Sequence, residues 1–249
     1  MTSGDLNEAA FASSETVAEY AKKGGLHRCE EYLFAKYVRP GDAILDIGVG
    51  AGRTAPHLAP GTSLYVGIDY SQAMVDAARR RFPDLDFRWG DAATLFDFEE
   101  GRFDLVVFSF NGMSSLPSDE ARGSAFAEAA RVLKPGGKFI FSVPNSEFLL
   151  FLPDFRGASL KQKLWRSVIS ASKTVGLWWR QFRSGAFRKG RGFISVPVHE
   201  GLRMYMATPA IISAEAGAVG LRVIEEIDYE CRLGVSRFAV GTWCYVTEK

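Results

Sequence analysis

A chain of 249 residues, 47% hydrophobic and 24% charged, can bury a substantial core and has the composition of an ordinary folded domain. Its formal net charge of +1 excludes a global attraction to nucleic acid or to acidic partners, so any such preference has to be local. Cys29, Cys231 and Cys244 are scattered, with no CxxC pair, which argues against a disulfide framework, a zinc site or any other metal site, and fits a reducing, cytoplasmic setting.

The opening MTSGDLNEAAFASSET is acidic and lacks the basic start and long apolar run of a secretory signal. Apolar runs such as FLLFL at 148–152 are far shorter than the roughly 20 residues a spanning helix needs. Residues 1–40 are expected to form an N-terminal helical cap, and 41–249 the main domain. Within it, β-like runs alternate with helical patterns: AILDI (43–47), LYVGID (64–69), LDFRW (85–89), DLVVFSF (104–110) and KFIFSV (138–143). Ser71 is the expected N-cap of a helix at 71–82 whose apolar face carries Met74, Val75, Ala78 and Phe82. Ser118 caps a second helix, striped by Phe126, Ala129, Ala130 and Leu133 and stopped by Pro135-Gly136-Gly137. Near-continuous apolar strands separated by helices predict a parallel sheet covered on both faces, a doubly wound α/β domain.

The last third departs from this rhythm. Between Phe151 and His199 stand ten Lys or Arg and a single acid, Asp154, together with Trp165, Trp178 and Trp179. A helix is expected again at Pro209–Val219, followed by two closing strands within LRVIEEIDYE and SRFAVGTWCYVTE, joined as a hairpin.

The chemistry gathers at the ends of the strands. The first runs into Asp46-Ile47-Gly48-Val49-Gly50-Ala51-Gly52, a GxGxG turn that lets a backbone approach a ligand, and distinct from the GxGxxG dinucleotide fingerprint. The second ends at Asp69, where an acid can accept hydrogen bonds from both hydroxyls of a ribose. The third ends in Gly90-Asp91-Ala92, whose carboxylate and next backbone N–H suit the edge of an adenine; the fourth closes on Ser109-Phe110-Asn111-Gly112. All are carboxyl ends, where open α/β sheets bind their ligands, so they should converge on one crevice.

LDIGVGAG, the acid in GIDYS, the GDA tripeptide and RVLKPGG, in that order, make residues 44–143 resemble the class I S-adenosylmethionine-dependent methyltransferases of small-molecule type. The resemblance implies a Rossmann-like three-layer α/β/α fold with a seven-stranded, mostly parallel sheet and an antiparallel last strand. It implies S-adenosyl-L-methionine as cofactor: Gly48, Gly50 and Gly52 under its methionine part with Asp46 nearby, Asp69 on the ribose, Asp91 and Ala92 on the adenine, and Tyr70 and Phe108 at the neighbouring tips. Met74 either packs against the base or is core, and Tyr20, ahead of the first strand, either packs or closes over the cofactor.

Such a cofactor carries its own activated methyl group, so the protein has to align an acceptor and, where needed, remove a proton. Asn111 should border the transferred methyl; His199 and Tyr205 are the candidate bases. The Asn/Asp-Pro-Pro-Tyr tetrapeptide of enzymes that methylate exocyclic amines is replaced by SFNG, and no cysteine follows a proline as in cytosine-carbon methylation. These departures favour methyl transfer to an oxygen or nitrogen of a small molecule over a nucleic-acid acceptor. The basic stretch at 151–199 would be the substrate cover, read as a solvated helical lid, as a cationic attractor for an anionic acceptor, or as a peripheral contact with anionic lipid. The alternative reading is an S-adenosylmethionine-binding protein acting on or at RNA or an anionic membrane through the basic insertion; a nicotinamide-dependent oxidoreductase is the rival enzyme class, disfavoured by the GxGxG spacing and the lack of a Tyr-xxx-Lys pair. The sequence assigns no oligomeric state.

Overall fold

The computed structural model describes residues 13–22, 24–95, 97–109, 111–149, 159–195, 203–232, 234 and 236–249. Its helices, in chain order, are α1 (Ser14–Lys22), α2 (Arg28–Tyr37), α3 (Ala55–Leu58), α4 (Gln72–Arg81), α5 (Gly112–Ser115), α6 (Asp119–Val132), α7 (Leu160–Ser184), α8 (Ala186–Lys189) and α9 (Pro209–Gly217). The strands are β1 (Ala43–Ile47), β2 (Leu64–Asp69), β3 (Asp86–Trp89), β4 (Phe103–Phe108), β5 (Leu133–Pro144), β6 (Arg191–Ser195), β7 (Arg203–Ala207), β8 (Arg222–Asp228) and β9 (Thr242–Glu248).

Seven strands form one sheet in the order β3-β2-β1-β4-β5-β9-β8. The first five pair in parallel, and β9 is antiparallel to both of its neighbours, β5 and β8. Every residue of β1 is buried, as expected of a central parallel strand clothed on both faces. One face packs Leu45, Ile47, Val106 and Phe141 against α6 and α9 through Phe126, Ala129 and Ile212. The other packs Ile44, Tyr65, Leu105 and Val107 against α2, α3 and α4 through Leu33, Phe34, Leu58 and Val75. Each such aliphatic or aromatic side chain contributes roughly 1.5–3 kcal/mol on burial, so the two layers carry the fold. Leu33 and Phe34 pack α2 onto this outer layer.

Both expected serine caps are present: Ser71 accepts from Met74 N–H at 3.4 Å and Ser118 from Ala121 N–H at 3.1 Å. Two expectations need correction. Pro135-Gly136-Gly137 does not separate helix from strand: β5 already begins at Leu133 and runs through it. The pairing of β5 with β4 shifts register between Phe103 and Leu105, and Gly136, at φ +77°, supplies a conformation other residues rarely adopt. The 151–199 stretch is also more than a helical cover. It holds α7, opened by a reciprocal Ser159–Gln162 cap and closed by left-handed Gly185, and then β6, which pairs with β7 in a separate two-stranded ribbon.

Candidate active site

β1 and β4 are neighbours while their crossovers go to opposite faces, so the sheet's switch point lies above Ile47 and Phe108. The loop after β1 turns through three left-handed glycines, Gly48 (φ +64°), Gly50 (φ +57°) and Gly52 (φ +81°). A Cβ on Gly48 would stand 2.7 Å from the Phe108 ring, and one on Gly52 would stand 2.9 Å from Phe82. Among the described residues, a Cβ at Gly50 would meet only Tyr20 Cδ1, at 3.5 Å, so this backbone is bare except where Tyr20 covers it.

The tip of β2 is fastened to that loop. Gly50 N–H donates to Asp69 Oδ2 at 2.8 Å and Ser71 N–H to Asp69 Oδ1 at 2.9 Å. Burial raises the Asp69 pKa, and these two backbone donors work against the rise. Each carboxylate oxygen keeps a lone pair for a further donor.

Asp46 acts from beneath the loop. It is 1% exposed, and its Oδ2 accepts from Thr54 Oγ1 at 2.5 Å and from Tyr65 OH at 2.9 Å. Its Oδ1 has no hydrogen-bond partner among the described residues. Burial pushes its pKa up to about 6 against the two hydroxyl bonds. Sequence reasoning missed the companion brace: Arg53 forms a fork onto Glu30, Nη1 to Oε2 at 2.6 Å and Nη2 to Oε1 at 2.7 Å, tying the loop to α2. Burial alone would raise the Glu30 pKa, but the bonds and charge of Arg53 leave it lowered. The partners lie 23 residues apart, so no local pattern could have paired them.

α1 lies over the loop and α4. Val17, Tyr20 and Ala21 pack on Ala51, Met74 and Ala77, so Met74 is a core residue beneath α1. Burial raises the Tyr20 pKa, with Glu19 and Asp69 adding to the effect and Arg53 opposing it. At the tip of β3, Trp89 Nε1–H donates to the Tyr70 carbonyl at 2.8 Å, and the two rings are 5.9 Å apart, both exposed. Asp91 Oδ1 accepts from Ala93 N–H at 2.9 Å, closing its own turn, while Ala92 is buried. Phe108 fills the space between two glycines, since a Cβ on Gly112 would fall 1.9 Å from its ring. Beyond it Asn111, at φ +63°, donates its N–H to Ser142 Oγ at 2.8 Å and accepts from that hydroxyl at Oδ1, 3.2 Å away. Tyr20, the glycine loop, Asp69, Phe108 and Asn111 are thus built onto one rim.

Tyr205 is corrected. It is 1% exposed, its hydroxyl donates to Glu215 Oε1 at 2.9 Å, and the Arg122 guanidinium lies 3.3 Å from its ring centre. Burial and Glu215 push the phenol's pKa well up, against the pull of Arg122, which works against the role of base expected from the sequence. His199 lies outside the described residues.

Residues 44–137 match the family model described as a methyltransferase domain. Among solved structures, the chain resembles the CcbJ methyltransferase from Streptomyces caelestis (TM-score 0.65, 19% identity, covering 97% of this chain and 98% of that one). It also resembles a methyltransferase from Methanosarcina mazei described as S-adenosylmethionine-dependent (TM-score 0.59, 21% identity, 87% and 96%). Residues 44–137 thus match a methyltransferase domain, and the chain has the fold of solved structures described as S-adenosylmethionine-dependent methyltransferases. Its curated relatives include demethylmenaquinone methyltransferase of Beutenbergia cavernae, 38% identical over 115 residues, 45% of this chain and 46% of that one. Another is the mRNA cap guanine-N(7) methyltransferase of Candida glabrata, 29% identical over 157 residues, 57% and 38%. The chain spans less than half the length of these curated relatives.

Proposed function

We propose that this chain transfers a methyl group from S-adenosylmethionine to an oxygen or nitrogen of a small-molecule acceptor. The observation that carries the reading is the Gly50 N–H to Asp69 bond beneath Tyr20, which sets a bare backbone and an acid from two strand tips side by side. The residues suit the cofactor: among the described residues, Gly50 has no neighbour within 4 Å of its Cβ position except Tyr20, and the Asp46 Oδ1 has no donor. The cofactor, when bound, supplies a methyl group already activated on a sulfonium.

The remaining tasks belong to the chain. Asp69 accepts the ribose hydroxyls with the lone pairs its two backbone bonds leave over. Asp91 and the Ala92 N–H hold the adenine edge beside Tyr70. The Gly48–Gly52 loop receives the methionine part, with Asp46 holding the loop's shape through Thr54 and Tyr65. Tyr20 closes over Gly50 and excludes water. Asn111, fixed by Ser142, positions the acceptor; fixing two reactants in this way can supply roughly 7–11 kcal/mol. His199 remains the candidate base.

The demethylmenaquinone methyltransferase relatives favour a small acceptor, and the mRNA cap relatives favour RNA as the second reading. Incubation with isotopically labelled S-adenosylmethionine and a cellular extract, divided into metabolite and RNA fractions and read by mass spectrometry, separates them. Label in the metabolite fraction is expected; label confined to RNA would replace the first reading by the second, and label in neither would refute both.

A further inference from the structure

The long helix α7 carries a side that the fold leaves unused. Thr174, Leu177 and Gln181, spaced three and four residues apart, turn inward and are buried. Gln181 Nε2–H donates to the Phe148 carbonyl at 3.1 Å and Trp178 Nε1–H to the Leu149 carbonyl at 2.7 Å, so the helix is seated along one edge. Val168, Val175, Trp179 and Phe182 follow one another at seven, four and three residues and therefore share another side. Their exposures are 61%, 63%, 61% and 81%, and Leu160, at 85%, extends the same side. Such a run of large apolar side chains facing outward from one helix calls for a covering partner.

Charge says what covers it. From Leu160 to Gly190 the chain holds eight Lys or Arg and no Asp or Glu. Lys161 and Arg183 are exposed on or beside this side of α7, Arg188 and Lys189 follow on α8, and Arg183 lies 5.7 Å from the Trp179 ring centre. A second copy of the chain packed on this side by two-fold symmetry would bring these cations together with no acid to offset them. RNA would satisfy the cations but leave Leu160, Val168 and Val175 in water. An anionic bilayer satisfies both, with acyl chains for the apolar side and lipid phosphates for the cations. No described helix is long and apolar enough to cross a membrane, so the contact is one of lying on the surface.

We propose that α7 is a peripheral membrane-docking helix that rests its Leu160–Val168–Val175–Trp179–Phe182 side in an anionic lipid leaflet. The proposal stands apart from the methyl-transfer reading, because its test reads binding and not activity. Cosedimentation compares vesicles of phosphatidylcholine containing phosphatidylglycerol with vesicles of phosphatidylcholine alone. The expected result is binding to the first and not the second, weakened by salt and accompanied by a blue shift of tryptophan emission. W179E/F182E should weaken binding by at least about tenfold, and K161E/R183E by at least roughly fivefold per residue. Both pairs are exposed, so circular dichroism and S-adenosylhomocysteine affinity should match the unaltered protein. The proposal is overturned by equal binding to the two kinds of vesicle or by binding that W179E/F182E leaves intact. Self-association that this variant abolishes, or tighter binding to RNA than to anionic vesicles, would overturn it equally.

Discussion

Asp46 is a carboxylate in an apolar layer, held by two hydroxyls on one oxygen and by none on the other. Its pKa of about 6 stands above the ordinary 3.8, so between those values the native state binds the proton that the unfolded chain releases. Its contribution to stability therefore falls as pH rises from about 4 to about 6 and is constant above. Asp46→Asn does not titrate. The difference in unfolding free energy between wild type and variant, from urea denaturation at a series of pH values, should move against the wild type by on the order of 3 kcal/mol across that window; a flat difference would show that Asp46 titrates at its usual pKa. At this scale the sequence was legible where partners are close in the chain. The three glycines and the Ser71 and Ser118 caps are local. The clamp of Phe108 between Gly48 and Gly112 was not legible, because β1 and α5 meet only after the sheet forms.

Among the elements, α1 and α2 hold the glycine loop in different ways. α2 grips it by the buried Glu30–Arg53 fork, and loss of one partner strands the other charge in a low-dielectric layer. Glu30→Ala should destabilise the fold by roughly 3–5 kcal/mol in chemical denaturation. A loss within about 0.5 kcal/mol would mean that Arg53 simply swings into solvent. α1 covers the loop through the ring of Tyr20, which rests on Gly50. Tyr20→Ala should leave the denaturation midpoint close to that of the wild type while weakening S-adenosylhomocysteine by about tenfold, or ~1.4 kcal/mol, in calorimetric titration. A large drop in stability with unchanged affinity would make α1 a packing element only. The strands and the helices α4, α6 and α9 were legible within a few residues because their hydrophobic period and caps are strong. The β6–β7 ribbon was not: its strands are short, and the second lies beyond the basic stretch that marks the first.

For the whole molecule, strand–helix alternation specified the doubly wound sheet, and the ordered tips specified the resemblance that the methyltransferase-domain model matches over 44–137. The same letters could not say that Asp69 spends part of its carboxylate on Gly50 and Ser71, or that Tyr205 is sealed against Arg122 and Glu215. Both depend on how distant segments stack. The account rests on the tips of β1 and β2 forming one cofactor rim. Calorimetric titration of the purified protein and of Asp69→Ala with S-adenosylhomocysteine tests it most directly. The expected result is saturable binding by the wild type at one site per chain, unaffected by NAD, and weakened roughly 10–100-fold in a variant that still unfolds cooperatively. Equal affinity in the two proteins, or no binding by the wild type, would contradict it.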